Sequence, residues 1–91
     1  MAENIVIKFY LYMVESPKNV QMVAELKRVL DGKYKDGYTL EVIDILNNPD
    51  LAEKNNIMAT PTLVKSEPLP SKRLVGDFSN GEKIIDLLDR K

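Results

Sequence analysis

The stretch Asn4-Ile5-Val6-Ile7-Lys8-Phe9-Tyr10-Leu11-Tyr12-Met13-Val14-Glu15-Ser16-Pro17 decides the fold of this chain. Ile5, Ile7, Phe9, Leu11 and Met13 alternate with Val6, Lys8, Tyr10, Tyr12 and Val14. Both sets are largely apolar and rich in β-branched and aromatic side chains. That is the pattern of a strand covered on both faces, as in a central parallel sheet. Ser16-Pro17 then starts a helix. Ser16 is the cap, and Pro17 stands at the first helical position, where its missing N–H costs nothing. Val20, Val23, Ala24, Val29 and Leu30, joined by Met22 and Leu26, form a broad apolar stripe at helical spacing. Glu25, Lys27, Arg28 and Asp31 face outward, and Gly32 and Gly37 bracket the loop that ends the helix.

Beyond that loop, Tyr38 to Ile45 forms a second strand. Tyr38, Leu40 and Val42 lie on one face; Thr39, Glu41 and Ile43 lie on the other. Asn48-Pro49-Asp50 starts a second, short helix from Pro49 to Asn55, with Leu51 and Ala52 inward. Leu63-Val64 marks a third strand with Pro61 at its start, where proline is tolerated. Pro68 and Pro70 mark a turn, and Lys72 to Gly76 forms a fourth strand at or near a sheet edge. Ser79-x-x-Glu82 is a capping box, and Ile84, Ile85, Leu87 and Leu88 give the last helix its apolar side. The order is βαβαββα. A parallel β-α-β unit followed by an antiparallel hairpin and a final helix is a thioredoxin-like α/β arrangement with a mixed four-stranded sheet.

The chain has 91 residues, 44% of them apolar, which fits one domain spanning residues 1–91. Basic and acidic residues number 13 and 14, for a net charge of −1. A nucleic-acid module carries a basic excess, so no nucleic acid and no anionic membrane is expected as a partner. Cysteine and histidine are both absent from the sequence. That removes disulfides, thiol redox chemistry, Cys/His zinc sites and histidine acid–base catalysis. Thioredoxin-type exchange needs Cys-x-x-Cys at the start of the first helix, where this chain has Glu15-Ser16-Pro17-Lys18. Asp44, Asp50 and Glu53 are close in sequence, but a metal needs several converging oxygens. Helix-end electrostatics and solvation account for Asp50 and Glu53. The expectation is a protein with no catalytic residue, cofactor or metal. Met1-Ala2-Glu3-Asn4 lacks a positive leader segment, and the longest apolar run, Phe9 to Val14, is far short of a membrane span. The expected location is the cytoplasm.

Three runs carry a family resemblance. Val42-Ile43-Asp44-Ile45-Leu46-Asn47-Asn48-Pro49-Asp50-Leu51-Ala52-Glu53 is followed by Ile57-Met58-Ala59-Thr60-Pro61-Thr62-Leu63, and then by Gly76-Asp77-Phe78-Ser79-Asn80. In this order and spacing they resemble the KaiB family of circadian-clock adaptors, and the likeness spans nearly the whole chain. The resemblance implies a partner rather than a reaction: a KaiC-type hexameric ATPase ring, bound through the thioredoxin-like state. KaiA and the kinases SasA and CikA are further clock components that such an adaptor recruits or displaces. It also implies a metamorphic protein. A second fold rearranges the carboxy-terminal half and assembles into tetramers, whereas the thioredoxin-like state is a monomer. Two such packings differ by only a few kcal/mol.

On that resemblance Lys65, Lys72 and Arg73 are the candidate KaiC-type contacts. Tyr38, Thr39 and Glu41 open the second strand, where KaiA- or CikA-type partners would meet it. Pro61, Pro68, Pro70 and Leu87 are the positions tied to fold change. Several residues depart from the family pattern. Met13-Val14-Glu15-Ser16 is a shorter connection without the usual glycine, and Gln21 replaces a basic residue. Glu41 replaces a lysine, a charge reversal that works against KaiA and CikA contact. Leu87 stands where many members carry glycine. Leucine favours helix over glycine by about 0.8 kcal/mol, which biases this chain toward the thioredoxin-like state. Alternatives outside the clock ring are a sensor module, like the KaiB-like amino-terminal domain of SasA, and a paralogue with another signalling partner.

Overall fold

The computed structural model describes residues 6–76, 78 and 80–89 of the chain. Its elements are β1 (Ile7–Met13), α1 (Pro17–Tyr34), β2 (Tyr38–Asp44), α2 (Pro49–Lys54), β3 (Thr62–Glu67), β4 (Lys72–Val75) and α3 (Gly81–Asp89). The strands form one sheet in the order β2-β1-β3-β4. β1 runs parallel to β2 and antiparallel to β3, and β3 pairs antiparallel with β4. The parallel pair needs a crossover, which α1 supplies; the antiparallel pair needs only the Pro68–Pro70 turn.

Local chemistry sets the helix starts. The Ser16 hydroxyl accepts the Asn19 backbone N–H at 3.1 Å, with Pro17 at the first helical position. At α2 the proline is where the sequence places it, but Asn48 does not cap through its side chain. Its amide donates backward to the Asp44 carbonyl at 3.0 Å. The Ser79 capping box lies outside the described residues. The side chain that caps α3 is Asn80, whose Oδ1 accepts the Lys83 N–H at 3.2 Å.

α1 continues through Gly32 to Tyr34, two residues past the glycine expected to end it. Lys35 then takes a positive φ of 58°, and its N–H bonds the Asp31 carbonyl at 2.9 Å. A glycine inside the last turn costs about 1 kcal/mol against alanine, which the buried α1 stripe readily offsets.

One face of the sheet carries the core. Phe9, Leu11 and Met13 of β1 meet Met22, Leu26, Val29 and Leu30 of α1, Leu63 of β3, Phe78, and Ile84 and Leu88 of α3. Val20, at 53% exposed, stands outside the stripe assigned to it, as does Ala24. α3 approaches α1 at Gly81. A Cβ built there would lie 2.5 Å from Val29 Cγ2, so only glycine fits. The opposite face is thinly covered. Tyr12 and Ile43 are buried there, but Tyr10 is half-buried and Lys8 exposed. Covering on both faces, expected from the alternation in β1, holds only at its carboxy-terminal end. The reason is that α2 has six residues and buries none of them.

Candidate functional site

Among the described residues, two surfaces of this fold stand open: the thinly covered sheet face and the sheet edges. Register places Glu41 of β2, Tyr10 of β1, Val64 of β3 and Arg73 of β4 in one cross-strand row on the open face. Side chains alternate across a strand, so this row points away from the Phe9–Leu11 core. Tyr10, Glu41, Ile43 and Val64 line a cleft of about 440 Å³, bordered by Leu51 of α2 and by Asn55 just past it. Tyr10 and Tyr12 bring phenols to its lining and Glu41 a carboxylate. The Tyr12 phenol is pushed above its ordinary pKa, first by burial and then by neighbouring Tyr10.

β2 is an edge strand with one neighbour, β1. Thr39 and Glu41 are exposed on its open-face side and Val42 is 38% exposed on its core side. Tyr38 does something else. Its hydroxyl donates to Asp31 Oδ1 at 2.6 Å and reaches the Lys27 carbonyl at 3.4 Å, tying β2 to α1. Its ring packs edge-on to Phe9 with centroids 6.3 Å apart and lies 6.5 Å from Tyr34. Of the three residues opening β2, the structure leaves Thr39 and Glu41 outward and turns Tyr38 inward.

The tyrosine bridge has a pH signature. Burial, then the hydrogen bond to Asp31, then the Asp31 charge raise the Tyr38 phenol to about 12. The folded state therefore holds this proton more tightly than an unfolded chain with an ordinary phenol near 10. Stability from Tyr38 is present below pH ~10 and is lost as pH rises from about 10 to about 12. An ultraviolet phenolate titration should show a tyrosine that ionises near 12 and is lost in Tyr38→Phe; a phase near 12 that survives Tyr38→Phe unchanged would contradict the bridge.

Lys65, Lys72 and Arg73 do not converge. Lys65 pairs with Lys72 across the β3–β4 hairpin, on the core-side face, while Arg73 leaves the opposite face. Lys65 Nζ donates to the carbonyls of Pro68 and Pro70 at 2.9 and 3.3 Å, folding over the turn. Lys72 Nζ reaches the carbonyls of Leu87 and Leu88. Arg73 reaches those of Asn55 and Asn56. Sequence reading missed these helix contacts because the partners are 15 to 18 residues apart and carry no local pattern.

The proline positions cluster at the ends of the hairpin. The Thr60–Pro61, Glu67–Pro68 and Leu69–Pro70 peptide bonds are cis. Pro61 is half-buried, and its carbonyl accepts the Gly76 N–H at 3.2 Å. Pro68 and Pro70 are exposed around Leu69, itself 80% exposed. Leu87 is half-buried on α3. At the start of α1, where thioredoxin-type exchange would sit, Glu15 to Gln21 form an open surface with Val20 exposed. Among the described residues, no helix is long and apolar enough to cross a membrane.

Comparison with known proteins adds to this geometry. Residues 10–90 match the KaiB domain. The chain is 46% identical over 74 residues to the circadian clock oscillator protein KaiB of Synechococcus elongatus, covering 81% of this chain and 72% of that protein. It is 42% identical over 89 residues to the KaiB of Thermostichus vulcanus, covering 98% and 82%. Among solved structures, the amino-terminal domain of Synechococcus elongatus SasA superposes with a TM-score of 0.79 at 24% identity, over 97% of this chain and 84% of that one. Chloroplastic thioredoxin z superposes with a TM-score of 0.70 at 22% identity, over 91% and 75%. These two establish the fold, which is thioredoxin-like.

Proposed function

This chain belongs to the KaiB family, and from that premise we propose that it is a non-enzymatic clock adaptor that binds a KaiC-type hexameric ATPase in its thioredoxin-like state. Through that contact it modulates the phosphorylation cycle of the ring, in the cytoplasm. The observation that carries the reading is the family match across residues 10–90. The thioredoxin-like arrangement supports it by leaving an edge strand and a sheet face open for partners.

The test is sedimentation of a KaiC-type hexamer with the chain in excess. The reading expects the chain to travel with the ring; a ring that sediments alone would overturn it. The similarity to the SasA amino-terminal domain favours a second reading, an interaction module with another signalling partner. On that reading the chain ignores the ring and is captured by a kinase-bearing partner.

Lys65, Lys72 and Arg73 supply positive charge for the ring contact, with the exposed Pro68–Pro70 turn beside Lys65. Lys65→Glu should weaken ring binding about tenfold, since reversing a rim charge turns attraction into repulsion. Lys65 also braces the turn, so thermal unfolding must accompany the binding curve. Unchanged affinity in a folded variant removes Lys65 from the contact. KaiA- or CikA-type partners would meet Thr39 and Glu41 at the β2 edge, by strand addition. Glu41 selects for a basic counterpart there.

The resting state is the thioredoxin-like monomer, with the tetrameric fold as the minor alternative. Leu87 supports this through helix propensity, about 0.8 kcal/mol over glycine, and through its partial burial on α3.

A further inference from the structure

Two consecutive cations on the edge strand β4 reach the ends of two different helices. Successive side chains leave a strand on opposite faces, so Lys72 and Arg73 diverge from neighbouring backbone positions. Lys72 Nζ donates to the carbonyl oxygens of Leu87 and Leu88, each at 3.2 Å, in the last turn of α3. Arg73 donates through Nη2 to the Asn55 carbonyl at 2.5 Å and through Nη1 to the Asn56 carbonyl at 3.1 Å. Those two carbonyls belong to the turn that closes α2, where Asn56 takes a left-handed backbone at φ 55°.

Lys72 meets carbonyls within the last turn of α3, whereas Arg73 holds the two carbonyls just past α2, whose own last carbonyls accept from the Asn55, Asn56 and Ile57 N–H groups. The last four carbonyls of a helix have no acceptor role inside it, and the aligned peptide dipoles concentrate partial negative charge there. A lysine or arginine close by satisfies both needs. The two helices also differ in how much else holds them. α3 buries Ile84 and Leu88 in the core, so only its last turn depends on Lys72. α2 buries none of its residues, so the turn that closes it rests on its own backbone hydrogen bonds and on Arg73.

We infer that Lys72 and Arg73 form a two-sided latch, which acidic groups of a partner docked on β4 release by taking these cations from the ends of α3 and α2. A carboxylate is a stronger acceptor for either cation than a neutral carbonyl, so partner contact and helix capping compete for the same donors. β4 has four residues and, among the described residues, pairs only with β3, which leaves its outer edge open to such a partner. The trigger rests on the reading of Lys72 and Arg73 as partner contacts; the latch itself is a property of the free chain. It deepens the docking proposal by giving the contact a consequence: the partner that engages β4 also loosens the helices on both faces.

Amide hydrogen exchange on the full chain, followed by NMR, tests both parts. Lys72→Met should speed exchange from Ile85 to Leu88 about tenfold and leave Ala52 to Ile57 unchanged. Arg73→Met should do the reverse. A hexaglutamate peptide at low salt should speed exchange at both helix ends in the wild-type chain, and added salt should cancel the effect. No change in either variant, or equal acceleration of both helices by each variant, would overturn the latch. Helix-specific effects of the variants with no response to hexaglutamate would overturn the release by acidic groups. None of these readouts involves the ring, so a chain that fails to bind the ring and still shows them loses the adaptor reading and keeps the latch.

Discussion

Phe9→Ala should destabilise the chain by about 3–5 kcal/mol, whereas Tyr10→Ala, one residue along the same strand, should cost much less. Phe9 is 1% exposed at the centre of the core, with its ring centroid 5.9 Å from that of Tyr34. Truncation there removes transfer energy and leaves a cavity between β1 and α1 that a packed interior only partly closes. A domain of this size holds about 5–15 kcal/mol in total, so the loss takes a large share of stability. Tyr10 projects onto the open face, half-buried beside Glu41 and Val64. Urea unfolding checks the pair. Equal costs for the two substitutions would mean that both sheet faces are core, and that the open face proposed for partners does not exist.

Gly81→Ala should also destabilise, while the same substitution at Gly32 should stabilise. At Gly81 the new methyl would sit 2.5 Å from Val29 Cγ2 and 3.0 Å from Glu25 Oε2. The Glu25 carboxylate can move, since it is held only by its pair with Arg28 on the exposed face of α1. Val29 cannot, being 5% exposed and enclosed by the core. Relieving the overlap pushes α3 away from α1 at a cost of about 1–3 kcal/mol. The gain in helix propensity, up to about 1 kcal/mol, does not cancel it. At Gly32 nothing lies within 4 Å of the added methyl, so the propensity gain stands alone. Thermal unfolding of the two variants should therefore move in opposite directions. A Gly81→Ala chain as stable as wild type would show that α1 and α3 do not approach this closely.

What the sequence made legible was local. Ser16-Pro17 fixed the start of α1 because a hydroxyl cap and a proline at the first position act within one turn. Pro49 did the same for α2, and the prolines at 68 and 70 marked the hairpin turn. Alternation in β1 identified the strand but overstated its covering. Tyr10 looks equally suited to a buried face or to an open one, and the short α2 decides which it gets. Gly32 misled for a related reason: the penalty of glycine in a helix is small beside the burial of Val29 and Leu30. Asn80 caps α3 through its side chain, and the capping box that pointed to Ser79 lies outside the described residues. The Lys72 and Arg73 contacts were invisible, since nothing in two adjacent cations says that one meets α3 and the other the end of α2. The family resemblance placed a partner site there, and the structure adds an intramolecular role for the same groups.

Backbone NMR chemical shifts for Ile57 to Asp89, recorded on the free chain at high concentration, test the central claim most directly. The account predicts extended shifts across Thr62–Glu67 and Lys72–Val75 and helical shifts across Gly81–Asp89, in a particle that tumbles as a monomer. That result would mean the chain rests in the thioredoxin-like state, with its open face and edges exposed. Helical shifts through the middle of this region, with an extended final segment and tetramer-sized tumbling, would contradict it.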